Sequence, residues 1–241
     1  MHVPTRTQWW QWPVRALPAI AFLATFGFFF LDKNEAARSV FRAGRGLLTV
    51  AVLVGGYVVL AFVLRRFVRW AWVAPLVLTG VILALATWIV RPYYVDETDN
   101  TKLVEGPVAD ASDAEEPPAT GAIPAPEAPT QPVRVATGVL QGLAGHDASG
   151  TVDLIQNTDG TYVVRFTGFD IEGTPDPIVY LIEGNDERSP GGSNLGGLRG
   201  NVGDTSDYAV PADVQPGAGW TVLVWCGQFT VEVTNATLSP A

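Results

Sequence analysis

Apolar and polar positions divide this chain into three unlike parts. Gly46 to Leu64 runs 19 residues without a charge, between Arg45 and Arg65. Trp70 to Val90 runs 21, between Arg69 and Arg91. A hydrocarbon core about 30 Å thick takes about 20 apolar residues in a helix, because backbone groups cannot be left unpaired in lipid. Both runs therefore predict membrane spans, over about 46–64 and 70–90. Pro75 falls near the start of the second, where a missing N–H costs little. Trp70, Trp72 and Trp88, with Tyr93 and Tyr94 just beyond, suit the headgroup layer. A shorter run, Ala16 to Leu31, follows Trp9, Trp10 and Trp12 and predicts a third span over about 14–31. A cleaved signal peptide is the competing reading. It suits the run less, because five phenylalanines crowd it and no small-x-small site precedes Asp32.

Arg65, Arg66 and Arg69 mark the loop between the last two runs as cytoplasmic. Lys33, Arg38, Arg42 and Arg45 then fall on the opposite side, so basic residues alone leave the orientation open. No carboxylate or histidine lies within any run, which argues against a proton relay or ion path.

From Asp96 to Pro132 the pattern changes to Ala, Glu and Asp, with seven prolines between Pro107 and Pro132. Such a stretch has too little apolar surface to offset chain entropy. It predicts a disordered, semi-rigid spacer over 92–133, with an upper reach on the order of 100 Å. A spacer of that kind favours an external C-terminal domain, beyond a wall or coat.

Residues 134–241 alternate with period two. Val152 and Leu154 share one phase, Asn157-Thr158-Asp159-Gly160 signals a turn, and Tyr162, Val164 and Phe166 resume the alternation, which predicts a hairpin. Ile178 to Ile182 reads as a strand. Trp220 to Cys226 is apolar in both phases and predicts a central strand covered on both faces. Phe229, Val231 and Val233 alternate with Thr230, Glu232 and Thr234, which predicts a strand with one wet face. The whole chain thus reads as an N-terminal all-α transmembrane bundle of three helices over 1–91, a Pro/Ala/Glu-rich linker over 92–133, and a C-terminal all-β domain, a sandwich or barrel, over 134–241.

Charge sharpens the division. Residues 1–91 hold 10 basic and 2 acidic groups, 92–133 hold 1 and 9, and 134–241 hold 4 and 13, with no lysine in the last part. An acidic domain without a basic face collects no phosphates, so nucleic acid is excluded as a partner. The bilayer is the partner the apolar runs imply.

One cysteine and two histidines rule out a disulfide framework, a four-cysteine zinc site and an all-histidine metal cluster, so no metal site is expected. Two readings of Cys226 stand. It is a redox or cofactor-ligating thiol, or it is a small core residue in phase with Val222 and Val224. His146, beside a turn at Gly145 and Asp147, is a weak candidate for cofactor binding; a hydrogen-bonding histidine is the plainer alternative. The sequence names no cofactor. The glycine-rich stretch Gly191 to Leu198 lacks the Lys-Ser/Thr of a phosphate loop. Arg199 is expected to pair with an aspartate. Asn235-Ala236-Thr237 matches a glycosylation acceptor.

Several pieces fall in a telling order: Gly142 and His146, Ser149-Gly150-Thr151-Val152, Phe166 and Phe169, and Pro175-Asp176 ahead of Val179-Tyr180-Leu181. Leu195-Gly196-Gly197-Leu198-Arg199-Gly200-Asn201 follows, with Gly203, Tyr208 and Pro211, then Val224-Trp225-Cys226, Phe229, Ala236 and Leu238. From about Gly138 to Leu238 the chain resembles the DM13 family. It departs at Thr174, where that family usually has glycine, and at Pro177, which replaces an apolar residue. The resemblance implies an extracytoplasmic β domain, a kind often found beside redox modules, with Cys226 matching the cysteine suggested as the electron-transfer group. The partner expected is then a redox protein. The alternative is a non-catalytic binding or surface-structural module facing a cell-surface protein. A hydrolase finds no nucleophile–base pair to support it.

Overall fold

The structure, a computed structural model, describes residues 11–33, 38, 44–67, 73–111 and 130–241. The chain forms two compact units, Met1–Tyr94 and Val95–Ala241.

In the first unit, the helix Gln11–Phe22 runs through a π-helical turn, Leu23–Gly27, into Phe28–Asp32. The Thr25 hydroxyl donates back to the Ala21 carbonyl (2.6 Å), as Ser and Thr do where a helix loosens. A second helix spans Gly44–Phe67 and a third Val73–Val90. Ala74, Leu78, Ile82, Ala86 and Ile89 form one buried stripe at helical spacing along the third, which packs on Gln11–Phe22. Leu76, Leu83 and Trp88 on that helix stay exposed, as do Ile20, Leu23 and Leu31 on the first. Among the described residues two helices are long and apolar enough to cross a membrane, Pro13–Asp32 and Val73–Tyr93. Against the three spans expected, the described residues thus offer two candidates. The span expected at 46–64 lies within Gly44–Phe67, where many side chains fall outside the described residues.

The second unit is all β, in two sheets. Its strands are β1 Ala109–Asp110, β2 Val133–Val139, β3 Gln141–Gly142, β4 Ala148–Gln156, β5 Tyr162–Ile171, β6 Pro177–Glu183, β7 Ser193–Gly197, β8 Val202–Ala209, β9 Trp220–Cys226, β10 Val231–Thr237 and β11 Ser239–Pro240. One sheet runs β1-β2-β4-β5-β8, with β11 also on β2; the other runs β3-β10-β9-β6-β7. The hairpin predicted around Asn157–Gly160 joins β4 to β5, closed by the Asn157 N–H on the Thr161 carbonyl (2.8 Å) with Gly160 at φ +82°.

Register explains the core. Val152, Phe166 and Ser206 align across the first sheet, as do Leu154, Val164 and Tyr208. Phe166 meets Tyr208 edge to face at 5.5 Å between ring centroids. In the second sheet Val224 aligns with Val179, and Val222 with Leu181 and Ala236. All these residues are buried, and together they form the interior of a two-sheet sandwich. The opposite face of the second sheet is covered where Leu143 packs with Ile182 and Leu223, beside Tyr180 and Trp225. So β9 is central and covered on both sides, as its sequence predicts. The wet face predicted for β10 is narrower than expected. A bulge between Glu232 and Thr234 shifts the phase, and Val233, Thr234 and Asn235 are all buried.

The largest departure from the sequence reading lies in the spacer. Its first part is docked on the β unit. The Val202 and Asn201 N–H groups donate to the Glu97 carbonyl (3.2 and 2.8 Å), Asp99 N–H to the Val202 carbonyl (3.1 Å), and Asp207 N–H to the Thr101 carbonyl (2.8 Å). Residues 97–101 thereby occupy the open edge of β8, which would otherwise present unpaired backbone groups. Further on, Val104 packs on Ile155 and Val163, with Val108 beside them. Then β1 joins β2 in parallel, Ala109 opposite Val133. The linker reading fails here because a strand edge and buried side chains elsewhere in the chain supply the partners that the segment lacks in itself. Residues 112–129 lie outside the described residues.

Candidate functional site

Cys226 ends β9, with Pro177 of β6 on one side and Val231 of β10 on the other. A turn follows at once, held by the Thr230 N–H on the Cys226 carbonyl (2.8 Å), with Thr230 at φ +56°. A second turn, Thr174 to Pro177, lies against it. Asp176 adopts φ +55° there, and its carbonyl accepts from the Gly227 N–H (2.9 Å). Thr174 to Pro177 therefore form a turn that closes directly over the thiol. A methyl group at Gly227 would displace the Asp176 carboxylate.

The thiol is 1% exposed. Its Sγ donates to the Pro175 carbonyl at 3.1 Å. Burial pushes its pKa up to about 11, and the Asp176 charge acts in the same direction. Hydrogen bonding from Phe229, Gln228 and Thr174 only partly offsets this. A reactive thiolate needs the reverse, an electropositive and accessible setting. At neutral pH Cys226 is a protonated, enclosed thiol.

His146 is buried in the turn after β3. Its N–H donates to the Leu143 carbonyl (2.9 Å), and its Nδ1 lies 3.2 Å from the same oxygen. That turn is anchored opposite Thr234 of β10, whereas Cys226 stands opposite Val231. The two sequence candidates thus sit on different turns, each with its own backbone partner. No group of three or more His, Cys, Asp or Glu side chains able to hold a metal occurs among the described residues.

Three other sequence candidates are placed by the fold. The glycine-rich stretch forms β7 and its turns, with Gly196 at φ +106° at a bulge opposite β6. Arg199 pairs with Asp99 (Nε to Oδ2, 3.1 Å) and stacks over the Tyr208 ring, 4.2 Å from its centroid. Asn235 is buried in β10, and its side-chain amide donates to Asp186 (3.0 Å) and to the Glu187 carbonyl (3.1 Å), so the folded domain offers no acceptor there.

Sequence reasoning expected an aspartate beside Arg199, which Asp99 supplies, but passed over the Arg165–Asp207 pair that also holds residues 96–110. Asp207 is fully buried, and it accepts from Arg165 and from the Leu103 and Val104 amides (2.6 and 3.1 Å). Asp99 accepts from Ser206, Thr101 and Arg199. The Asp99 carboxyl would be raised by burial, but those hydrogen bonds and the Arg199 charge outweigh it and hold it at about 2. The available signal was Asp207 itself, a carboxylate at an outward position between Ser206 and Tyr208 with Arg165 on the strand predicted before it.

No curated protein and no solved structure matches the chain. Residues 140–238, which hold His146, Arg199, Asp207 and Cys226, match the model of a family described as electron transfer DM13, and the C-terminal unit of this protein carries a DM13 domain.

Proposed function

We propose that this protein anchors its DM13 domain to a membrane and displays it on the outer side, where the domain serves electron transfer with Cys226 as the redox group. The observation that carries the reading is the match over 140–238, within which Cys226 is the one thiol. Anchoring is supported by two long apolar helices that each leave several large apolar side chains exposed, an arrangement costly in water and favourable in lipid. The geometry narrows the chemistry. A thiol that is 1% exposed and protonated does not exchange disulfides with a dissolved partner. Electron exchange at Cys226 therefore requires the turns at 174–177 and 227–230 to open, or a partner that docks over them.

A second reading is favoured by one observation, the burial of Sγ against the Pro175 carbonyl. In it Cys226 is a core residue, and the domain is a binding or surface-structural module. Potentiometric titration of the purified full chain separates the two. Electron transfer through Cys226 predicts a redox transition in the wild type that Cys226→Ser abolishes. The core-residue reading predicts no transition in either protein and only a loss of stability in the variant.

A further inference from the structure

We infer that residues 96–110 are a strap whose non-covalent hold on the edges of β8 and β2 is strong enough to keep it bound when the chain between β1 and β2 is cut.

Four observations carry it. First, from Glu97 to Thr101 the segment's backbone is hydrogen-bonded into the β unit, at Asn201, Val202 and Asp207. Second, the β unit holds a built receptor for the strap. Asn201, which is buried, donates from its side chain to Asp96 (2.9 Å) and accepts from the Glu97 N–H (2.6 Å). Ser206 and Asp207 are fully buried, and each binds the strap, at Asp99 and at Leu103 with Val104. Arg165 donates to the Val104 carbonyl (2.6 Å). Third, the receptor is cut to the strap's backbone. A Cβ at Gly200 would strike the Glu97 carbonyl and the Asp99 amide, and a Cβ at Gly203 would strike the Asp99 carbonyl. Fourth, the chain leaves the sheet after β1 and rejoins it at β2, directly alongside. The strap is therefore held at both ends, by β8 and by β2.

Asn201, Gly203, Ser206 and Asp207 fall inside the region matched by the family model, while the strap falls outside it. The matched region therefore carries a binding edge for a segment that the match does not include.

The test uses the full chain in detergent, with a specific protease site inserted between Thr120 and Gly121 and an affinity tag on the N-terminus. After complete cleavage at neutral pH, the strap predicts that the C-terminal fragment stays with the captured N-terminal fragment. Asp99→Ala is expected to speed its release by about tenfold or more, the effect of losing charge-assisted hydrogen bonds. Release of the wild-type fragment at neutral pH, with its β-sheet circular dichroism intact, would overturn the inference. A chain found free of membranes would sink the anchoring instead and leave this assay unaffected.

Discussion

Arg165 and Asp207 meet across β5 and β8 in a two-pronged ion pair, Nε to Oδ1 and Nη2 to Oδ2 both at 2.7 Å. Asp207 is fully buried, and its carboxylate also accepts the Leu103 and Val104 amides. A buried charge is tolerated only when it is fully paired, and breaking such a pair from one side costs about 3–5 kcal/mol. Asp207→Ala leaves Arg165 and two amides without their acceptor. Urea denaturation of this variant should show a loss in that range; a loss below about 1 kcal/mol would mean the pairing contributes little.

Acid should act on the same cluster. Burial works to raise the carboxyl pKa of both Asp99 and Asp207, and the hydrogen bonds and arginine charges around them outweigh it, so both lie below the ordinary value. A carboxylate whose folded pKa is depressed contributes stability that is present above its unfolded pKa, about 3.9, and is lost as pH falls through the folded one. The melting temperature should therefore hold from neutral pH down to about 5 and fall between about 4 and 2. Asp99→Asn should flatten that fall. An equally steep fall in the variant would place the acid sensitivity elsewhere.

The strap's fit is testable at one glycine. Gly203 has no room for a methyl group beside the Asp99 carbonyl and the Phe169 ring. Gly203→Ala should cost about 1–3 kcal/mol through overpacking and should raise protease sensitivity near residues 97–104. A wild-type digestion pattern in that variant would show that the strap has slack.

Much of the fold was legible in the sequence because it rests on local alternation. The β4–β5 hairpin follows from Asn157–Gly160 between two period-two runs, and the central place of β9 follows from apolar residues in both phases. The burial of Thr234 was not legible, because a bulge reverses phase without changing composition. The strap was hidden for a different reason. Residues 96–110 are polar and proline-bearing, and their order comes from partners about a hundred positions away, such as Asn201 and Asp207. At the candidate site, Cys226 stood out as the one thiol. Its enclosure depended on Pro175 and Asp176, 51 and 50 positions earlier, just ahead of the neighbouring β6, where no local pattern points.

The enclosure of Cys226 makes its own prediction. A thiol at 1% exposure whose pKa is about 11 should resist aromatic disulfide reagents at pH 8 and react fully in denaturant. Cys226→Ala removes the sulfur that donates to the Pro175 carbonyl, leaves a small void and should cost about 1–2 kcal/mol. Rapid labelling of the native protein would contradict the enclosed geometry.

The arrangement of an embedded helical part and an externally displayed acidic domain is tested most directly by labelling in intact cells. Asp213 is exposed in the β unit, and the enclosed Cys226 gives little background, so Asp213→Cys reports which side the domain faces. A membrane-impermeant maleimide should label this variant in unbroken cells, and the labelled chain should sediment with membranes after alkaline washing. Labelling only after lysis, or recovery of the chain in the soluble fraction, would contradict it.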